Sequence, residues 1–152
     1  MADVHDPATR SRNMSAIRGK NTKPEHQIRR ALHARGFRFR LHSAGLPGRP
    51  DLVLRKYRAV IFVHGCFWHG HNCPLFRLPA TRTAFWEAKI TGNRARDTWQ
   101  EAELLADGWR VAKIWECALK GPERIGADAV AGALAAWLPE DGARLEMRGR
   151  AQ

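Results

Sequence analysis

The stretch Leu52-Val-Leu-Arg-Lys-Tyr-Arg-Ala-Val-Ile-Phe-Val63 contains two short runs of β-favouring residues separated by a polar turn. The runs Leu52–Leu54 and Ala59–Val63 are almost wholly apolar, which is typical of strands that are buried on both faces of a sheet. The turn over residues 55–58 has the length of a tight connection between adjacent strands. The stretch therefore predicts two neighbouring strands at the centre of a sheet.

Helical and strand patterns flank these two strands. Thr22-Lys-Pro-Glu25 has the form of a capping box with proline in the first turn, and Gly36 supplies a stop for that helix. The other predicted elements are a basic helix over 6–17, a strand over Phe37–Leu41, a helix from Thr83 to about Ala106 that breaks near Gly92, a strand over Trp109–Trp115 and a helix over Asp128–Leu138. Strands interleaved with helices predict an α/β fold around a mixed sheet, with one domain over 1–138 and a polar, flexible tail over 139–152.

The charge of the chain points to a polyanionic partner. The 152 residues include 26 Lys and Arg against 15 Asp and Glu, a net charge of +11. Residues 1–40 hold ten basic and three acidic residues, so residues 1–21 are predicted to form a basic arm that contacts nucleic acid. A solvated basic face is the alternative, since charge alone does not identify a reaction.

The composition excludes several classes of protein. Hydrophobic residues make up 44% and charged residues 27% of the chain, which is typical of a globular protein. No apolar run reaches the ~18 residues that a membrane span needs, and the N-terminus lacks the layout of a signal peptide. Three cysteines close to histidines favour a metal site over a secreted disulfide scaffold. We therefore expect a soluble, cytoplasmic protein.

The segment Cys66-Phe-Trp-His-Gly-His-Asn-Cys73 places two thiols and two imidazoles within a short loop. Together with Cys117, which follows a predicted strand, Cys66, His71 and Cys73 would form a closed tetrahedral zinc site. The alternative is that Cys73 and Cys117 are small core residues. His64 and His69 remain as candidates for proton transfer, or as histidines that only hydrogen-bond within the loop.

Two acidic residues are candidates for a catalytic metal site. Asp51 lies in an Arg-Pro-Asp turn directly before a strand, where its carboxylate can hold Mg²⁺ at the edge of the sheet. Glu25 can supply a second carboxylate, directly or through water, or act only as the capping residue of its helix. Phosphodiester hydrolysis needs a cation at the phosphate and a base for the water, and Asp51 with a nearby histidine meets that need.

Six tryptophans are many for a chain of this length. Trp109, Trp115 and Trp137 occupy core positions of predicted elements. Phe67 and Trp68 lie next to each other in the Cys/His loop, and Trp86 lies in a basic neighbourhood. Flat rings beside positive charge can insert between DNA bases, although burial in a core explains most tryptophans.

Five stretches resemble the very short patch repair (Vsr) DNA mismatch endonucleases. They are His5–Met14, Leu46–Asp51, Val60–His69, Pro79–Trp86 and Gly108–Leu119. The resemblance implies a restriction-endonuclease-like fold of the PD-(D/E)xK type, with a structural zinc site. It also implies a Mg²⁺-dependent, strand-specific DNA endonuclease, a phosphodiester hydrolase. Such enzymes nick duplex DNA 5′ of the T in a G·T mismatch that arises from 5-methylcytosine deamination, which starts very short patch repair.

The resemblance also implies roles for individual residues. Asp51 and the main-chain carbonyl of Val63 would bind one or two Mg²⁺ ions, and Glu25 would contact water held by the metal. His69 would be the general base and His64 a second catalytic histidine. The remaining roles are structural zinc ligands for Cys66, His71, Cys73 and Cys117, and a DNA wedge formed by Phe67, Trp68, Trp86 and, from the N-terminal arm, Met14.

This chain departs from the family pattern in three places. The metal loop over residues 68–73 is less histidine-rich than in some relatives. Val63 replaces a familiar threonine, a change that leaves a carbonyl ligand intact, and the arm over residues 18–24 differs, which leaves the preferred base context open. The expected partners are G·T-mismatched duplex DNA, and functionally a cytosine-5 methyltransferase and mismatch-repair proteins, for a monomer bound to the bacterial nucleoid. The alternatives are a site-specific nicking or restriction-like endonuclease acting on matched duplex DNA, and a zinc-stabilised DNA-binding module without catalysis.

Overall fold

A computed structural model describes residues 22–150, so the predicted basic arm, its helix over 6–17 and Met14 lie outside the described residues. The described chain forms a five-stranded mixed sheet in the order β1-β2-β3-β4-β5. Its strands are β1 (Arg40–Leu41), β2 (Leu52–Leu54), β3 (Ala59–His64), β4 (Arg110–Trp115) and β5 (Arg144–Met147). Residues 22–150 contain three α-helices, α1 (Lys23–Ala34), α2 (Thr83–Ala106) and α3 (Ala127–Trp137).

The central strands pair as the sequence predicts. β2 and β3 are antiparallel, with Leu54 opposite Ala59, and Arg58 takes a left-handed conformation (φ 49°) at the end of the turn between them. β3 and β4 are parallel and joined by the long connection that contains α2, and β5 is parallel to β4. The register places Val63 opposite Ile114 and His64 opposite Trp115, so the carboxyl ends of β3 and β4 lie at one edge of the sheet.

The two faces of the sheet bury alternate residues of each strand. On one face Ala59 and Ile61 pack with residues of α1 and α3, and on the other Val60 and Phe62 pack with Leu104 of α2. This alternation follows from the two-residue repeat of side-chain direction in a strand. The domain is therefore a three-layer α/β structure, in which the sheet separates α1 and α3 from α2. Trp109, Trp115 and Trp137 are buried, which confirms the prediction that they are core residues.

Two predictions about elements are wrong. α2 is continuous through Gly92. A Cβ at this position would meet no atom within 4 Å, so no close contact requires glycine there. The cost of an exposed glycine, about 1 kcal/mol, is tolerated within a long helix. The tail predicted over 139–152 contains β5, which pairs with β4 from Val111–Arg144 to Ile114–Met147. Its four residues carry two charges, so they do not show the apolar run that marks the inner strands.

None of the helices within residues 22–150 is both long and apolar enough to cross a membrane.

Candidate active site and metal centres

Asp51 lies immediately before β2, beside the last residues of β3, which extends beyond its pairing with β2. The main-chain N–H of Val63 donates to Asp51 Oδ2 at 2.7 Å, which fixes the carboxylate beside the last residues of β3. The side chain is about 20% exposed. The predicted pair of Asp51 and Val63 is therefore together in the structure, joined through the N–H of Val63.

Glu25 belongs both to the helix cap and to the acidic centre. Its Oε2 accepts the main-chain N–H of Thr22 at 3.3 Å, and the Thr22 hydroxyl accepts the N–H of Glu25, so the capping box forms. Its Oε1 contacts His42 Nε2 and lies 3.1 Å from the Arg29 guanidinium. The capping role predicted for Glu25 is therefore confirmed, and the same buried carboxylate also contacts His42 and Arg29.

The two carboxylates disfavour each other's charge. The pKa of Asp51 is raised to about 8: burial is the largest cause, the Val63 N–H opposes the rise, and the nearby Glu25 carboxylate contributes to it. His42 Nε2 lies 4.0 Å from Asp51 Oδ1, so one imidazole nitrogen faces both acids. Glu25, His42 and Asp51 each offer a donor atom within 4.8 Å of the others. A divalent cation would offset the electrostatic cost of this cluster.

A second cluster joins His64, His69 and Asp97. The rings of His64 and His69 stack with centroids 3.8 Å apart and planes 1° apart. His69 Nδ1 lies 2.5 Å from Asp97 Oδ2, which favours the tautomer with hydrogen on Nδ1 and leaves Nε2 as a proton acceptor. Burial lowers the pKa of His64 well below its usual value, and the neighbouring His69 adds to this effect. His64 is therefore neutral at pH 7, and the ring of His69 is held in one orientation by Asp97.

The Cys/His loop is held closely against α2. Gly70 has a φ of +60°, and a Cβ there would lie 2.6 Å from Cγ2 of Ile90, so only glycine fits this approach. Asn93 Nδ2 donates to the carbonyl of Trp68 at 2.9 Å. These contacts bring His69 within reach of Asp97 on the helix.

Cys66, His71, Cys73 and Cys117 converge, as the loop spacing predicts. Their donor atoms all lie within 4.8 Å of one another, and His71 Nδ1 lies 3.5 Å from the sulfurs of both Cys66 and Cys117. A tetrahedral zinc ion with bonds of about 2.3 Å to sulfur and 2.0–2.1 Å to nitrogen would separate these atoms by about 3.6 Å. The cluster therefore fits a metal such as zinc.

The surroundings of the cluster favour metal-bound thiolates. Burial raises the pKa of the Cys66 and Cys117 thiols and lowers the pKa of His71 to about 4, so without a metal the thiols stay protonated and the imidazole neutral. The main-chain N–H groups of Cys117 and Gly149 donate to the sulfurs of Cys66 and Cys117, each at 3.3 Å. Such N–H donors stabilise sulfur that carries negative charge.

Phe67, Trp68 and Trp86 form a cluster of rings at a large cleft. The ring centroids of Phe67 lie 5.1 Å from Trp68 and 5.5 Å from Trp86, and the two tryptophans are 5.7 Å apart. All three side chains are partly exposed. The cleft has a volume of about 1300 Å³, and the rings lie on its wall.

The same cleft collects most of the predicted site residues. Its wall includes Asp51, Val63, His64 and His69 together with the three aromatic rings, and it has basic side chains in Lys23, Arg49, Lys89 and Arg96. Glu25 contacts His42, which lines the cleft, while the Cys/His cluster forms a separate centre. Sequence reasoning missed Asp97 and His42, because an aspartate within a helix and a histidine after a short strand carry no local signal of their partners.

A mixed α/β sheet that presents a carboxylate and two histidines in one basic cleft is typical of a nuclease. The family model described as DNA mismatch endonuclease Vsr matches residues 2–75. The chain is 49% identical over 147 residues to the DNA mismatch endonuclease Vsr of Escherichia coli (strain K12), which covers 97% of this chain and 94% of that protein. This chain belongs to the Vsr endonuclease family.

Other relatives carry a different description. The chain is 52% identical over 119 residues to the Type II nicking enzyme V.XorIIP of Xanthomonas oryzae pv. oryzae (strain KACC10331 / KXO85), covering 78% of this chain and 88% of that protein. It is 45% identical to the Type II nicking enzyme V.NmeAIP of Neisseria meningitidis serogroup A (serotype 4A, strain DSM 15465 / Z2491), over 79% of this chain and 86% of that protein.

Proposed function

We propose that this chain is a DNA mismatch endonuclease that nicks duplex DNA 5′ of the T in a G·T mismatch left by deamination of 5-methylcytosine. The observation that carries the proposal is the cleft, which is lined both by Asp51 with the His64–His69 pair and by the ring cluster of Phe67, Trp68 and Trp86. A mismatch lowers the few kcal/mol needed to unstack a base step, so a wedge beside the reacting phosphate selects mispaired DNA.

The proposed fold is a restriction-endonuclease-like domain of the PD-(D/E)xK type. Its support is the mixed sheet, with Asp51 at the start of β2 and next to the end of β3. We propose that one endonuclease domain includes β5 as well as the elements before it, that residues 1–21 add a basic arm which tracks the DNA, and that Met14 of this arm completes the wedge. Phosphate neutralisation by the arm and the cleft makes the affinity for DNA fall steeply with salt.

The proposed Mg²⁺ ligands are Asp51 and the main-chain carbonyl of Val63. In an extended strand the N–H and C=O of one residue face the same side, and the N–H of Val63 already faces Asp51. A bound Mg²⁺ ion, or a pair of them, would neutralise the scissile phosphate and lower the pKa of water. The residues present fit such an ion, because two carboxylates lie where their mutual repulsion favours a cation.

The histidines supply the proton transfer in this scheme. His69, held by Asp97, takes the proton from the attacking water, and Glu25 helps to orient that water. His64, neutral and stacked on His69, lies close to the scissile phosphate. Water adds to phosphorus as the bond to the 3′-oxygen breaks, which leaves a 3′-hydroxyl and a 5′-phosphate.

Replacement of Asp97 by asparagine is expected to lower the nicking rate at saturating enzyme by about 10²-fold, since general-base catalysis contributes 10²–10⁴-fold. Asparagine can hold the wrong tautomer of His69 and cannot stabilise the imidazolium that forms. Single-turnover rates across pH measure this effect. Glu103→Gln on an exposed position of the same helix is the matched control, and an equal rate for both variants would contradict the role of Asp97.

Replacement of Trp68 by alanine is expected to reduce the preference for a G·T duplex over a matched duplex by at least about tenfold, because the mispair is opened less easily. The ratio of the two single-turnover rates measures this preference. Trp99→Ala is the matched control, since Trp99 is 59% exposed on α2 and lies outside the cleft. A preference that is unchanged by Trp68→Ala would argue against the wedge.

The affinity for Mg²⁺ is expected to increase with pH. With a pKa of about 8 in the metal-free protein, Asp51 holds a proton at pH 6 that the cation must displace, whereas at pH 8 half of the molecules have lost it. The affinity should therefore rise about 50-fold between pH 6 and pH 8. Calorimetric titration of the protein at both pH values measures the change. An affinity that stays constant or falls as the pH rises would contradict this account.

The second candidate function is a site-specific nicking enzyme that cuts matched duplex DNA. It is favoured by the relatives described as Type II nicking enzymes. Rates on G·T, G·U and matched duplexes of one sequence, in contexts that cytosine-5 methyltransferases recognise, separate the two candidates. We expect a nick only at the mispair and only with Mg²⁺, and equal cutting of matched DNA would favour the second candidate.

The proposed setting follows from this substrate. The enzyme would act as a monomer in the bacterial cytoplasm, on the nucleoid, where DNA carries the 5-methylcytosine made by a partner cytosine-5 methyltransferase. Mismatch-repair proteins would take over the nicked strand. We propose zinc as the structural metal of the Cys/His cluster, on the fit of its donor distances.

A further inference from the structure

His42 occupies a position between the two carboxylates of the acidic centre. It follows β1 with a left-handed main chain (φ 47°), a conformation that β-branched residues avoid. Its main-chain N–H donates to the carbonyl of Asp51 at 3.2 Å, so the loop after β1 is bound to the residue that precedes β2. The side chain is about 14% exposed, and its Nε2 faces Glu25 Oε1 and Asp51 Oδ1.

We propose that His42 is a further protein ligand of the catalytic cation, beside Asp51, the carbonyl of Val63 and Glu25, and that its nitrogen raises the affinity of the centre for Mn²⁺-like transition metals relative to Mg²⁺. The inference adds to the proposed function and depends on one part of it, namely that Asp51 binds a cation. It changes the expected ligand set, because Glu25 then reaches the cation directly through Oε1.

The distances between their donor atoms allow Glu25, His42 and Asp51 to bind the same cation. Two ligands of an octahedral ion with bonds of about 2.1 Å lie about 3.0 Å apart when adjacent and about 4.2 Å apart when opposite. The separation of 4.0 Å between His42 Nε2 and Asp51 Oδ1 falls within this range. The three donor atoms lie within 4.8 Å of one another. Small rotations of these side chains would therefore enclose an ion.

The two oxygens of Glu25 face different partners. Oε2 accepts the main-chain N–H of Thr22 in the helix cap, and Oε1 faces His42 Nε2 and the Arg29 guanidinium, the latter at 3.1 Å. A cation bound here would lie between Oε1 and Nε2 and would replace the direct contact between them. The neutral imidazole would then offer the lone pair of Nε2 to the cation.

The donor set determines the choice of metal. Mg²⁺ binds almost only oxygen and keeps several waters, whereas Mn²⁺ lies on the series of divalent ions whose affinity rises at sites with nitrogen ligands. A centre with two carboxylates and one imidazole therefore favours Mn²⁺ more than a centre built from oxygen alone. Replacing His42 by glutamine keeps an oxygen donor of similar reach and removes the nitrogen.

The test uses Mn²⁺ as the probe on the full chain, with the Cys/His cluster loaded with zinc beforehand. Electron spin echo spectroscopy should show ¹⁴N coupling from a directly bound imidazole, and this coupling should be lost in both His42→Gln and His42→Ala but retained in His69→Gln. The ratio of Mn²⁺ to Mg²⁺ affinities should fall about tenfold in His42→Gln. Asp51→Asn identifies the site, since it should abolish the Mn²⁺ signal.

Any one of three other outcomes would overturn the inference. Asp51-dependent Mn²⁺ without ¹⁴N coupling, coupling that survives in both His42 variants, or no Asp51-dependent Mn²⁺ binding would exclude His42 as a ligand. The inference and the proposed function fail separately. Metal-dependent nicking of a G·T duplex without ¹⁴N coupling overturns the ligand alone, whereas ¹⁴N coupling in a protein that nicks no mismatched duplex overturns the function alone.

Discussion

Replacement of Asp51 by alanine is expected to abolish nicking, with a rate at least about 10³-fold below that of the unmodified protein, while binding to mismatched DNA stays near its original level. Asp51 is the carboxylate at which the proposed cation would neutralise the phosphate, and its loss would remove a ligand that contacts the cation directly. DNA binding depends on the basic side chains of the cleft and on the rings, which the change leaves in place.

The comparison needs a variant that keeps the local hydrogen bond. Asp51→Asn retains an oxygen that can accept the N–H of Val63, so it should fold normally and still fail to nick. Asp141→Ala removes an exposed acid elsewhere in the chain and should nick at the original rate. Single-turnover cleavage and a gel-shift titration on one G·T duplex give both quantities. Lost binding with intact chemistry in Asp51→Asn would contradict the assignment.

Replacement of His71 by glutamine is expected to remove the structural metal and to lower Tm by at least about 10 °C. Structural zinc sites contribute about 10–16 kcal/mol in small zinc peptides, while a domain has a net stability of only about 5–15 kcal/mol. A loss of several kcal/mol shifts the Tm of a chain of this size by about 2–4 °C for each kcal/mol. The long loop that contains His69 and Trp68 would lose its order at the same time.

Metal analysis and thermal unfolding measure this effect together. The unmodified protein should contain one zinc ion per chain, and His71→Gln should contain none. His33→Gln, at an exposed position near the end of α1, is the matched control and should keep both the zinc and the Tm. A His71→Gln protein that retains its Tm without zinc would show that hydrophobic packing alone orders the loop, as the core-cysteine interpretation predicts.

Much of the fold follows from local patterns. The apolar runs Leu52–Leu54 and Ala59–Val63 are strands because they are buried on both faces, and the capping box at Thr22 begins α1 where predicted. β5 could not be predicted in this way, because an edge strand such as Arg144–Met147 alternates exposed and partly buried residues and depends on β4 for its order. The predicted break at Gly92 ignored the support that α2 receives from its neighbouring turns.

Some residues of the candidate site could likewise be predicted from the sequence and others could not. The Cys/His cluster could be predicted because three of its four members lie within one loop. Asp97 and His42 could not, since each becomes informative only through a partner far away in the sequence, His69 for the one and Glu25 for the other. The capping role of Glu25 could be predicted from the local spacing, whereas its contact with His42, 17 residues further along the chain, could not.

The measurement that tests the central claim most directly is the mapping of the nick on a G·T duplex labelled at the end of either strand. The account predicts a single Mg²⁺-dependent break immediately 5′ of the mispaired T, with a 3′-hydroxyl and a 5′-phosphate, and an intact strand opposite. Equal breaks in the matched duplex, a break in the strand that carries G, or binding without any break would contradict it.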